Sequence, residues 1–123
     1  MQQEIEVSPG QTIIQQGEEG IGFFILKSGT LEVYKDDVLL AMLMYPGTVF
    51  GEMGGILGRP RTCTIRAKTQ VSIIHVQMET VEELVHEQPE IAIKIIKTLA
   101  NRLDRTTQKL IDTALENPVW AAR

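Results

Sequence analysis

The chain has 123 residues, 43% of them hydrophobic and 5% aromatic, with 12 basic and 16 acidic residues for a net charge of −4. A chain of this length builds one hydrophobic core, so we expect a single domain without room for a second. The one cysteine excludes an internal disulfide and a thiolate metal cluster. The polar N-terminus and the shortness of the longest uncharged stretch, 38–51, argue against a signal sequence and a membrane span. We therefore expect a soluble, cytoplasmic protein.

The charged residues are unevenly distributed. Residues 1–58 contain two basic and eight acidic residues, whereas residues 59–123 contain ten basic and eight acidic ones. The densest basic cluster is Arg59, Arg61, Arg66 and Lys68, with no acidic residue among them. A nucleic-acid-binding surface is typically a longer basic stripe on a basic domain. The cluster fits one compact anion better, and we expect no direct nucleic-acid binding by this chain.

Residues 1–78 show the pattern of short β-strands separated by turns. Apolar and polar residues alternate in part, and glycine, proline or aspartate pairs separate the segments. The predicted strands are 12–16, 23–27, 30–35, 38–44, 61–67 and 71–76. Short antiparallel strands at this spacing predict a small sandwich or barrel.

The hydrophobic period becomes helical at residue 79. We predict a short helix within 79–88 and a long helix over 90–116, which contains no proline or glycine and is stopped by Asn117-Pro118. Apolar and threonine residues recur at alternating spacings of four and three, forming a heptad seam of Ala92, Ile96, Leu99, Leu103, Thr106, Leu110 and Thr113. Such a seam predicts a homodimer through this helix. The alternative is a helix that folds back on its own barrel.

The segment 50–67 carries the candidate chemistry. Gly51 permits an unusual backbone turn, and residues 52–57 can form a short helix whose first N–H groups have no internal partner. Those N–H groups favour an anion, which Arg61 can bind with two parallel hydrogen bonds and Thr62 with its hydroxyl. Glu52 fits beside an anion if it accepts a hydrogen bond from a ligand hydroxyl such as a ribose 2′-OH. The combination predicts a sugar phosphate rather than a triphosphate, which needs a longer glycine-rich loop ending in Lys-Ser or Lys-Thr.

This segment resembles the phosphate-binding cassette of the cyclic nucleotide-binding domain family, which reads F-G-E, a short helix, then P-R and small residues. Here the cassette runs from Phe50-Gly51-Glu52 to Pro60-Arg61-Thr62-Cys63-Thr64, and the glycine-marked strand pairs extend the similarity over nearly the whole chain. The resemblance implies a mainly β fold, a small double-stranded β-helix (jelly-roll) barrel with a long C-terminal α-helix. It implies one domain over 1–123 that binds a cyclic nucleotide without catalysis, metal or further cofactor.

The resemblance also implies roles for individual residues. The cyclic phosphate is assigned to Gly51, Met53, Arg61 and Thr62, the ribose to Glu52, and the base to Val33, Ala41 and Met44. Plain core packing is the alternative for the apolar residues. The long helix over 102–109 is similar to the dimerisation helix of the bacterial catabolite activator (Crp/Fnr-like) branch. By that analogy Arg102 approaches Glu52 or the phosphate, Thr106 contacts the adenine, and Thr107 contacts it from the partner subunit. A solvated helix face is the alternative here.

The sequence departs from the family pattern in two places. Ile21 stands where the family often has aspartate, and Gly54-Gly55 stand where alanine or serine and leucine are commoner. Because glycine is a poor helix former, this pair predicts a more flexible cassette helix.

The expected ligand is cAMP, because Thr106-Thr107 resembles an adenine-contacting pair, although Thr62 would equally suit the guanine of cGMP. The expected function is a sensor, as part of a transcriptional regulator, a channel or a kinase, or as a complete small protein. One alternative is a ligand-free interaction or dimerisation module on the same fold. Another is a metal-dependent enzyme on a similar barrel, which requires several converging ligands, whereas His75 stands alone in its strand. Cys63 is expected to be a small buried residue.

Overall fold

A computed structural model describes residues 2–116 of the chain. These residues form eight β-strands and three α-helices. The elements are β1 (Gln2–Val7), β2 (Thr12–Ile14), β3 (Phe23–Ser28), β4 (Leu31–Lys35), β5 (Val38–Leu43), β6 (Val49–Phe50), α1 (Glu52–Leu57), β7 (Thr64–Ala67), β8 (Val71–Val76), α2 (Val81–Glu87) and α3 (Pro89–Glu116). None of the helices within 2–116 is both long and apolar enough to cross a membrane.

The strands form two four-stranded antiparallel sheets, ordered β1-β8-β3-β6 and β2-β7-β4-β5. Strands distant in sequence are therefore neighbours in both sheets, as the jelly-roll prediction requires. The predicted mainly β fold with a long C-terminal helix is confirmed. The two sheets do not close into a continuous barrel over the part of the chain that the structure describes.

Strand β3 of the first sheet is buried on both faces, which explains its continuous apolar run. Phe24 and Leu26 point into the core between the sheets, where they meet residues such as Leu31 and Ile73. Phe23 and Ile25 point to the opposite face, which α2 and α3 cover. The helical layer is fixed there by three buried residues, Leu84, Ala92 and Ile95. Burial on alternate faces gives every residue of Phe23–Leu26 an apolar environment.

The elements differ from the sequence prediction in several places, and three of these differences have identifiable reasons. β1 escapes detection because its outer face is polar and most of its residues are exposed at a sheet edge. β7 begins at Thr64 rather than at residue 61, since the backbone of Arg61 pairs instead with Gly17 and Glu18. α3 begins at Pro89, one residue early, because proline fits the first turn of a helix, where its missing N–H costs nothing.

The long helix α3 buries apolar side chains against its own domain in its first turns and leaves most of the heptad seam exposed. Ala92, the first seam residue, is buried against the first sheet together with Ile95, which lies off the seam. The next apolar seam residues, Ile96, Leu99 and Leu103, are exposed. The end of the helix predicted at Asn117-Pro118 lies outside the described residues.

Candidate functional site

A cavity of about 290 Å³ lies between the second sheet, α1 and α3. The sheet contributes an apolar wall, whereas the cassette and α3 contribute the charged and small residues. The lining residues are Ile14, Val33, Ala41, Leu43, Val49, Phe50, Gly51, Glu52, Gly54, Arg61, Thr62, Cys63, Ile65 and Arg102. The cavity thus has the composition that a ligand with an apolar ring at one end and an anionic group at the other requires.

The cassette helix α1 is bounded by two glycines in the left-handed conformation. Gly51 has φ +75° at the N-terminal cap and Gly58 has φ +65° at the C-terminal cap. A side chain at either position would be strained. This turn places Glu52 in the first turn of α1, directly on the wall of the cavity.

Arg61 is a buried cation without a carboxylate partner among the described residues. It is 7% exposed, and the ion pairs within residues 2–116 are Lys27–Glu4 and Arg102–Glu52. Its Nη1 donates hydrogen bonds to the carbonyl oxygens of Gly51, at 2.6 Å, and Gly22, at 3.1 Å. Removal from water lowers the pKa of the guanidinium because desolvation disfavours the charged form. The site therefore holds a buried positive charge that forms no ion pair within residues 2–116.

Glu52 is the acidic group of the cavity, and it is buried. Nη1 of Arg102 donates to Oε1 of Glu52, and Nη2 of Arg102 donates to the backbone carbonyl of Val49. Arg102 lies on α3, so this ion pair links the long helix directly to the cassette. A ligand that contacts Glu52 would therefore also lie near the guanidinium of Arg102, whose position depends on α3.

The structure brings most of the predicted site residues to one cavity. Gly51, Glu52, Arg61, Thr62, Arg102, Val33 and Ala41 all line it. Met44 does not; it is 49% exposed, and Leu43 occupies the wall instead. Alternation along β5 explains this difference, because Leu43 is two residues from Ala41 and shares its face. The side chain of Met53 lies outside what the structure describes.

Thr106 and Thr107 lie on the exposed surface of α3 and do not line the cavity. The hydroxyl of Thr106 donates a hydrogen bond to the backbone carbonyl of Arg102, at 2.9 Å. Both threonines lie about one turn along the helix from Arg102. Their predicted contact with a base is therefore not made by the cavity of a single chain.

Sequence reasoning did not assign several residues that also line the cavity: Ile14, Leu43, Val49, Phe50, Gly54, Cys63 and Ile65. The alternation of strand faces could have identified two of them, because Leu43 shares a face of its strand with Ala41 and Ile65 faces the core. Cys63 is half-buried on the cavity wall rather than fully buried.

His75 stacks on Phe24, with ring centroids 4.4 Å apart, and its Nε2 lies 2.9 Å from the carbonyl oxygen of Ile21. Within residues 2–116, no three His, Cys, Asp or Glu side chains are arranged to hold a metal ion.

Comparison with known proteins matches the part of the chain that contains the cassette. The family model described as the cyclic nucleotide-binding domain matches residues 4–88. A CRP-like cAMP-activated global transcriptional regulator of Mycobacterium tuberculosis is 27% identical over 114 residues, covering 89% of this chain and 51% of that protein. The chain thus spans about half the length of the curated relatives it matches.

Solved structures show the same fold. The catabolite activator protein of Thermus thermophilus superposes with a TM-score of 0.76 at 24% identity, over 94% of this chain and 56% of that one. A cAMP-bound PfPKA-R superposes with a TM-score of 0.63 at 25% identity, over 86% of this chain and 37% of that one. Both likenesses extend over most of residues 2–116.

Proposed function

Because this chain belongs to the cyclic nucleotide-binding domain family, we propose that it is a non-catalytic cytoplasmic sensor of a cyclic nucleotide, with cAMP as the ligand. The observation that carries the proposal is Arg61, a buried cation held by backbone carbonyls with no carboxylate partner within residues 2–116. A cyclic phosphate carries one negative charge and two exocyclic oxygens, which suits a single guanidinium. The cavity offers this cation, a carboxylate and an apolar wall, a set that supports binding rather than bond cleavage.

The arrangement of the cavity suggests how each part of the ligand is held. The phosphate binds Arg61, the backbone that follows Gly51 and the hydroxyl of Thr62. The ribose 2′-OH donates a hydrogen bond to Glu52. The base packs on Val33, Ala41 and Leu43, whose side chains form the apolar wall. No metal or other cofactor is needed for these contacts.

The proposed signal passes from the cavity to α3 through the Glu52–Arg102 ion pair. A ligand that binds Glu52 changes the environment of Arg102, and with it the position or pairing of α3. This coupling operates only if the arrangements of α3 differ in their affinity for the nucleotide. The exposed seam supports pairing with a second copy, in which Thr107 of one chain would reach the base bound by the other.

The preference for cAMP over cGMP is supported by the relative described as cAMP-activated and by the Thr106-Thr107 pair. Thr62 lines the cavity and could also serve a guanine. Competition titration of bound cAMP with cGMP measures the preference directly. We expect cAMP to bind more tightly, and a preference for cGMP would contradict this assignment.

The proposed output is transcriptional regulation, with this chain as the sensor part. It is supported by the curated relative, a transcriptional regulator of which this chain matches about half. The alternative of a ligand-free dimerisation module is favoured by one observation, the exposed apolar face of α3. Calorimetric titration separates the two, since a ligand-free module would bind no cyclic nucleotide.

Substitution of Arg61 tests the site itself. Arg61→Ala removes the one buried cation proposed for the phosphate, and each charge-assisted hydrogen bond contributes about 1.5–3 kcal/mol. We expect the cAMP affinity to fall by a factor of roughly ten or more, measured by isothermal titration calorimetry. Arg59→Ala is the matched control, because it removes an exposed basic residue that does not line the cavity. Equal affinities of the two variants would refute the assignment.

A further inference from the structure

The cassette helix contains two adjacent glycines that its backbone conformation does not require. Gly54 and Gly55 lie inside α1, and neither has the positive φ that disfavours other residues. Glycine is the poorest helix former after proline. A six-residue helix with two of them needs a reason outside the helix.

The reason is lack of space, and it is most severe at Gly55. A Cβ added to Gly55 would lie 1.9 Å from the carbonyl oxygen of Gly22 and 2.5 Å from its carbonyl carbon. Gly22 is confined in turn, since a Cβ there would lie 2.0 Å from the carbonyl oxygen of Val76. The backbone of α1 therefore packs directly on the backbone of the 17–22 loop, which packs on β8. Such a contact is possible only between residues without side chains.

The carbonyl oxygen at this contact also holds Arg61. It accepts a hydrogen bond from Nη1, which is shared with the carbonyl of Gly51. Gly20 lies against the remainder of the guanidinium, because a Cβ there would lie 2.5 Å from Nη2 and 2.8 Å from Nε. The cation is thus enclosed by glycine backbone on several sides, and its orientation depends on where the Gly22 carbonyl lies.

We propose that Gly22 and Gly55 are positioning residues for Arg61. The contact between the backbones of these two glycines fixes the Gly22 carbonyl, and this carbonyl holds the guanidinium so that it faces the ligand phosphate. The inference rests on the proposed binding of a cyclic nucleotide. Carbonyl oxygens orient the cation without neutralising it, whereas a carboxylate paired with the guanidinium would compete with the phosphate for its charge. The glycine pair in α1 is therefore a requirement of the site rather than a defect of the helix.

The test compares Gly55→Ala with Leu57→Ala, a change to an exposed residue of the same helix. The ligands are cAMP and its two phosphorothioate diastereomers, in which sulfur replaces one or the other exocyclic oxygen. A guanidinium fixed on one oxygen distinguishes the diastereomers, and a displaced one does not. For Gly55→Ala we expect roughly tenfold weaker cAMP binding and a diastereomer affinity ratio that falls towards one. For Leu57→Ala we expect wild-type values.

An equal loss of affinity for both diastereomers, with their ratio unchanged, would show that Gly55 is only a packing residue and would overturn the inference. A wild-type protein that binds none of these ligands would instead contradict the proposed function.

A second measurement needs no ligand and does not depend on the folding of Gly55→Ala. In the ligand-free wild-type protein, a guanidinium anchored by the Gly22 and Gly51 carbonyls should give separate Nη1 and Nη2 signals in ¹⁵N NMR. These signals are assigned by their loss in Arg61→Lys. A single averaged signal, as in a freely rotating arginine, would overturn the positioning role even if cAMP binds.

Discussion

Glu52 is a single residue on which two proposed interactions depend. Its carboxylate pairs with Arg102, and it is proposed to accept the ribose 2′-OH. Glu52→Ala removes the acceptor, so we expect cAMP affinity to fall by a factor of roughly ten or more. The preference for cAMP over 2′-deoxy-cAMP should also disappear, which calorimetric titration of both ligands measures. Glu87→Ala, which removes an exposed carboxylate of α2, is the control. A variant that still prefers the 2′-hydroxyl would place the ribose elsewhere.

The sequence predicted the residues of the site better than it predicted what holds them. Gly51, Glu52 and Arg61 are close in the chain, so the chemistry of one local segment was enough to group them. The hydrogen bond from Arg61 to Gly22 spans 39 residues, and no local pattern indicates it. The role of Gly55 was missed for the same reason: helix propensity predicts flexibility, whereas the packing partner that explains the glycine lies in a different loop.

At the scale of elements, α3 is attached to the domain by a small number of buried side chains. Ile95 is 3% exposed and packs against the first sheet, whereas Ile93, two residues earlier, is 53% exposed. Ile95→Ala should lower the free energy of unfolding by about 2–5 kcal/mol through lost burial and a residual cavity. Ile93→Ala should change it by no more than about 0.5 kcal/mol. Urea denaturation followed by circular dichroism measures both, and equal effects would contradict the packing of α3.

The helices and strands were predictable where the spacing of apolar residues in the sequence matches the pattern of buried residues in the structure. The cassette helix and strands β3, β4, β5 and β8 follow apolar patterns bounded by glycine, proline or aspartate turns. The tight turn after β4 is an example, since Asp36 and Asp37 both have positive φ, at 50° and 64°, as hairpin turns require. β1 was not predictable because an exposed edge strand gains its pairing from β8, which is distant in sequence: Glu6 pairs with Ser72, 66 positions further along the chain.

For the whole molecule, the exposed apolar surface of α3 is the main unexplained feature of a single chain. The helix has 28 residues, which is about 42 Å at 1.5 Å per residue. Its buried residues are Ala92 and Ile95, both in the first two turns. Beyond them Leu103 and Leu110 are 69% and 67% exposed. Paired helices would bury these side chains, and would also bring Thr107 of one chain towards the cavity of the other.

Leu103→Glu tests this pairing, because it places two carboxylates opposite each other in the proposed seam. We expect the wild-type protein to sediment as a dimer and the variant as a monomer. Gln108→Glu adds the same charge on the opposite face of α3 and should remain dimeric. If the dimer and the cavity are coupled, each bound cAMP must stabilise the dimer by the same factor by which dimerisation strengthens the binding of that cAMP. The monomeric variant should then bind cAMP more weakly, although its cavity is unchanged. A wild-type protein that stays monomeric with and without cAMP would refute the pairing and return α3 to the role of a solvated helix that only supplies Arg102 to Glu52.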